Sequence, residues 1–81
     1  MMNDSDIIQH IEKLVEEEHR LFEAEDDRPL TPEERERLEY IGVQLDRYYD
    51  LLRQRRARRE AGQNPDEARM RPAKVVENYV E

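Results

Sequence analysis

An all-α fold, an antiparallel helical hairpin of two long helices followed by a short C-terminal helix, is what this sequence predicts, and three observations carry the prediction. Apolar residues recur at three- and four-residue steps through two long runs. A helix-start signal, Thr31 and Pro32 with Glu34, stands between the runs. The composition, 43% charged and 36% hydrophobic over 81 residues with one Phe, no Trp and two Gly, suits long exposed helices better than a β-fold. A chain of this length makes one small domain at most.

The first helix is read from "SDIIQHIEKLVEEEHRLFEAE", which sets Ile7, Ile8, Ile11, Leu14, Val15, Leu21 and Phe22 on one face. Ser5 or Asp4 is the expected cap, Asp6 favours the positive end of the helix dipole, and Pro29 ends the helix. In the second helix Thr31 caps, Pro32 takes the first helical position, and Leu38, Ile41, Leu45, Tyr48 and Leu52 form the buried stripe. A weaker line, Tyr40, Gln44, Leu51 and Arg55, widens that face. Gly62 is the expected stop, giving a helix of roughly thirty residues, or about 45 Å. Residues 1–62 thus form the hairpin. Residues 63–81 form a turn at Asn64-Pro65 and, after Pro72, a docking helix in which Val75, Val76, Tyr79 and Val80 repeat at helical spacing.

A connection of about four residues makes the helices antiparallel, with neighbours whose numbers sum to about 58. The end of the second helix then overhangs the start of the first. Two helices cannot cover their own apolar stripes, so the pattern predicts a homodimer in a four-helix bundle, the alternative being a hairpin covered by its own C-terminal segment.

Charge is distributed unevenly. The net charge is -7, yet residues 1–27 hold ten acids and two bases while residues 53–60 hold five Arg and one Glu. Arg53, Arg55, Arg56, Arg58 and Arg59 are therefore the candidate partner-binding residues, because arginine forks match carboxylate and phosphate geometry. Nucleic acid is disfavoured as the ligand: the net charge repels phosphate, no aromatic is interleaved for stacking, and no binding motif surrounds the run. An internal role is the competing reading, since cations stabilise a helix C-terminus and Asp4 and Asp6 lie near. On the wheel Arg55, Arg56 and Arg59 continue the apolar stripe and should meet carboxylates or the Tyr79 region, whereas Arg58 points outward as the better external contact.

Glu18 falls in the middle of the first helix's apolar face, where a carboxylate needs a partner. Tyr40, Tyr48 or an Arg of another chain is the expected partner, making Glu18, Tyr40 and Tyr48 a buried polar set that fixes register. Glu16-x-x-His19 repeats a spacing used in di-iron bundles, but Glu16 points away from the stripe and no second copy of the motif exists, so no metal or other cofactor is expected. Ser5 is the only serine and no Gly-rich loop is present, which argues against an enzyme. With no cysteine, an acidic N-terminus lacking a basic leader and no apolar run of membrane-spanning length, a cytoplasmic location is expected, with no membrane partner.

The stretch "DLLRQRRARREAGQNPDEARMRP", followed by "VVENYV" and preceded by "DIIQHIEKLVEEEHRL", resembles the small actinobacterial proteins of domain-of-unknown-function family 2630. Asp50 through Arg56 and the Asn64-Pro65-Asp66 turn are the most specific part; Tyr49 stands where the family has Trp, an aromatic change that preserves bulk. The resemblance implies a bacterial, cytoplasmic, stand-alone helical protein and carries over no substrate, cofactor or catalytic residue. The function expected is that of a non-enzymatic interaction protein that self-associates. The alternatives are a nucleic-acid-associated accessory protein and a metal-binding half-bundle.

Overall fold

The computed structural model describes residues 2–77. Helix α1 spans Asp4–Asp27 and α2 spans Pro32–Glu60; a 3-10 turn, Pro65–Glu67, and a short α3, Ala73–Glu77, follow, with no strand among the described residues. Tyr79 and Val80, expected in the last helix, lie outside the described residues.

The start of α1 differs from expectation. Its cap is Asn3, not Ser5 or Asp4: the Asn3 side chain accepts from the Asp6 backbone N–H at 2.8 Å, and the Asp6 carboxylate accepts from the Asn3 N–H at 3.2 Å. The reciprocal box satisfies two of the N–H groups that a helix start leaves open, which a cap at Asp4 or Ser5 would not achieve with this spacing. Thr31 caps α2 as expected, with Glu34 returning the bond and Pro32 in the first turn. Past its end, Gly62 has φ 73°, the left-handed conformation that glycine adopts without a Cβ clash. The four residues Arg28 to Thr31 connect the helices, and Leu30 is tucked in as a buried plug.

The helices run antiparallel at the expected register: His10 stacks on Tyr48 at 5.4 Å, Glu17 meets Arg37, and Asp4 meets Arg55. Ile7, Ile11, Ile41, Leu45 and Leu51 form the core, with Leu14, Leu21 and Leu52 packed at its edges. Beyond Gly62 the chain folds back along α2, held by side chains that donate to its carbonyls. Gln54 reaches Arg69 O at 2.8 Å, and Arg47 Nε reaches Arg71 O at 2.9 Å. Val76 of α3 is buried. The C-terminal segment therefore covers the line of Leu51 and Arg55 and leaves the other side of the hairpin open. The molecule is a slab of 50 × 28 × 17 Å, one helix layer thick over much of its length.

Candidate functional site

The five arginines of the overhang divide by what they touch. Arg55 is buried, its side chain 7% exposed, and binds Asp4 through Nε and both Asp66 Oδ1 and the Pro65 carbonyl through Nη1, the latter two at 3.1 Å. Arg59 reaches the other oxygen of Asp4 at 2.7 Å. The bond to Arg55, with that to Arg59 behind it, holds the Asp4 carboxyl below its usual pKa, and the Arg55 guanidinium is correspondingly raised. This cluster clamps the start of α1, the end of α2 and the Pro65 turn together.

Arg58, expected to point outward, instead lies 3.5 Å from Glu67 of the folded-back segment. That segment occupies the side of α2 on which Arg58 projects, a placement the wheel of one helix cannot contain. Arg53 and Arg56 are exposed and make no ion pair or hydrogen bond with a described residue. Arg56 was expected to meet carboxylates or the Tyr79 region; it lies on the open side of the slab, where no described carboxylate reaches it, and Tyr79 is outside the described residues.

That open side is the largest feature without a covering. Ile8, Val15 and Phe22, seven residues apart on α1, are 44%, 41% and 48% exposed, and Tyr49 of α2 is 46% exposed. Advancing 100° per residue from the side chains that face across the hairpin brings these α1 residues to the same side of the slab as Leu38, Leu45, Tyr49 and Leu52 of α2. The C-terminal segment packs on the opposite side. Both lines follow the seven-residue spacing of a helix-packing seam.

Glu18 sits within this face, half-buried, and among the described residues no hydrogen bond or ion pair reaches it. The two tyrosines expected to satisfy it do other things. Tyr40 is 50% exposed beneath the Arg37 guanidinium, 5.0 Å from the ring centroid, and Tyr48 stacks on His10. Both lie on the side of the hairpin opposite Ile8, Val15 and Phe22, where His10, Lys13, Glu17, Arg37, Tyr40 and Tyr48 line a shallow groove. Within a single chain these three residues therefore form no buried polar set.

His19, the other motif candidate, pairs with Glu23 at 3.0 Å on the exposed face of α1, and among the described residues no group of three or more His, Asp or Glu is placed to hold a metal ion. Nor is any helix among them long and apolar enough to cross a membrane. Among the contacts that escaped the sequence reading are Asp66 as a ligand of Arg55 and the buried Asp50, which accepts from Gln54 at 2.8 Å. The Asn64-Pro65-Asp66 turn was the available signal for the first; which arginine it would meet depended on the path of the tail.

One layer of two antiparallel helices with a tail latched by arginine defines a small all-α helical-hairpin protein. The chain belongs to the DUF2630 family of proteins of unknown function, whose model matches residues 3–81. It is similar to an uncharacterized protein of Mycobacterium bovis and to one of Mycobacterium tuberculosis, each 44% identical over 77 residues that cover 94% of this chain and 88% of the relative. No solved structure shows significant similarity to it.

Proposed function

We propose that the chain is a non-enzymatic interaction protein of the bacterial cytoplasm that works as a homodimer, two hairpins packing open face to open face in a four-helix bundle. The observation that carries this reading is the run of exposed apolar side chains Ile8, Val15 and Phe22 with Tyr49, flanked by the half-buried Leu38 and Leu52. Domains are stable as two packed layers, and this slab has one over most of its length.

The surface area agrees with a missing layer. A compact monomer of 9.9 kDa exposes about 5,200 Å², whereas this chain exposes 6075 Å². The excess is close to the ~800 Å² that each partner buries in a standard interface. Gly42 supports the same reading: a glycine inside a helix costs about 1 kcal/mol relative to alanine. Nothing in its own chain lies within 4 Å of a Cβ placed there, so the fold of the single chain does not require it. A closely approaching second helix would. Glu18, without a partner among the described residues, becomes the polar residue that fixes how the two copies align.

Arg53 and Arg56 are the members of the arginine run left for contacts outside the chain, the other three being engaged with Asp4, Asp66 and Glu67. Light scattering after size exclusion tests the reading. Wild type should have twice the chain mass of 9.9 kDa, and Val15→Glu with Phe22→Glu should halve it while far-UV circular dichroism keeps its helical form. A wild type that stays monomeric at high micromolar concentration would remove the proposal.

A further inference from the structure

Resting on that homodimer, we infer that the two hairpins pack with their loops at opposite ends, so that Arg53 and Arg56 of each copy lie beside the acidic loop end of the other. Two symmetric ways of joining the open faces exist: a two-fold axis along the helices gathers both loops at one end, and an axis across the helices separates them. Both satisfy the apolar seam. Charge separates them.

The slab is electrically polar along its length. Residues 23–36, at the loop end, contain seven acids and two bases, a net -5, whereas at the far end the acids Asp4, Asp66 and Glu67 engage Arg55, Arg58 and Arg59 and leave Arg53 and Arg56 as the unengaged cations of the run. With both loops at one end, two groups of -5 would stand about one helix diameter apart, inside a Debye length at low salt. The crosswise axis places each acidic end against an arginine end instead.

The level of the contact follows from the helix rise. Measured from the turn at about 1.5 Å per residue, the middle of the seam lies near Val15 and Leu45. A crosswise axis there carries Arg56 of one copy to the level of Asp26 in the other and Arg53 to that of Glu23, with Glu25 between them in sequence. Arg53 and Arg56 are the two arginines of the run that bind nothing among the described residues, and both are exposed. Arg56 continues the line of Leu45, Tyr49 and Leu52 toward the partner.

The chain contains no cysteine, so Asp27→Cys gives a single labelling point at the exposed loop end. In the doubly spin-labelled dimer the expected separation is about 40 Å, twice the distance from the loop to the seam centre at 1.5 Å per residue. A separation below about 20 Å, within two helix diameters, in a sample that light scattering shows to be dimeric overturns the arrangement and leaves self-association standing. A monomeric mass overturns both. As a second readout, Arg53→Glu with Arg56→Glu should weaken dimerisation at least tenfold at low salt, and adding Glu25→Lys with Asp26→Lys should restore it. No restoration in a variant that remains helical would rule out the paired ends.

Discussion

At the scale of single residues, Arg55 is the polar side chain whose loss should be felt most. It is buried, and its guanidinium joins three segments that share no other polar contact of this density. Because Asp4 and Asp66 are each partly solvated, Arg55→Ala leaves no fully buried orphan charge, and a loss of about 1–3 kcal/mol is expected. Urea unfolding measures the loss, and hydrogen exchange should show the Pro65 turn opening first. Arg55→Lys should recover little, since an ammonium cannot serve Asp4 and Asp66 in a planar fork. Gly42→Ala is expected to act in two directions. Below the dimerisation threshold it should raise the melting temperature, through the roughly 1 kcal/mol of helix propensity that alanine adds. Above the threshold it should raise the dimer dissociation constant, because the new methyl meets the second helix. An increase in stability at every concentration would mean that no helix crosses there.

The helix ends carry the second set of expectations. Thr31 and Glu34 close the box that starts α2, and Arg28 locks Glu34 with two bonds of 2.7 and 2.8 Å. Thr31→Ala should cost about 1 kcal/mol. The Arg28 guanidinium, followed by the Thr31 backbone N–H, holds the Glu34 carboxyl down at about 2, from an ordinary 4.5. Its folded pKa is thus depressed, so its stabilisation is complete above pH 4.5 and disappears as the pH falls toward 2. Asp4, bonded to Arg55 and Arg59, and Glu17, bonded to Arg37, are lowered in the same direction and lose their contributions on the same acid side. Thermal melts should therefore show stability declining from pH 4.5 downward, and the decline should be shallower in Glu34→Gln, which has no proton to take up. An equal slope in that variant would show that the loop pair contributes nothing to acid sensitivity.

For the whole molecule, the thinness of the slab dominates. A radius of gyration of 15.0 Å exceeds the roughly 12 Å of a compact domain of this length, and among the described residues seven hydrophobic side chains are buried, of which Ile7 and Ile41 are fully enclosed. Ile7, fully buried against α2, should cost about 2–5 kcal/mol on truncation to alanine. If the proposed dimer supplies a second layer, the melting temperature should rise with protein concentration, as mass action requires when the folded form associates. The Val15→Glu and Phe22→Glu variant should lose that dependence while keeping its helices. A melting temperature independent of concentration in the wild type would mean that the single layer is sufficient by itself.

The sequence by itself determined what local chemistry determines. The periods of Ile7 to Phe22 and Leu38 to Leu52 fixed two helices, Thr31-Pro32 and Gly62 fixed where the second begins and ends, and the short connection fixed the register that joins His10 to Tyr48. Asn3 was missed because its box depends on Asp6 returning the bond, a spacing masked by the better-known candidates beside it. Which arginine meets which acid was decided only by tertiary structure. A helical wheel orders side chains around one axis, whereas the partners of Arg55 and Arg58 arrive on a segment ten residues further on whose direction no periodicity encodes. The same fold-back decided which side of the slab is covered and left Ile8, Val15 and Phe22 facing outward, while the packing phase of the two helices set Tyr40 and Tyr48 away from Glu18. Pattern states that a helix has an apolar face; only the path of the rest of the chain settles what lies against it.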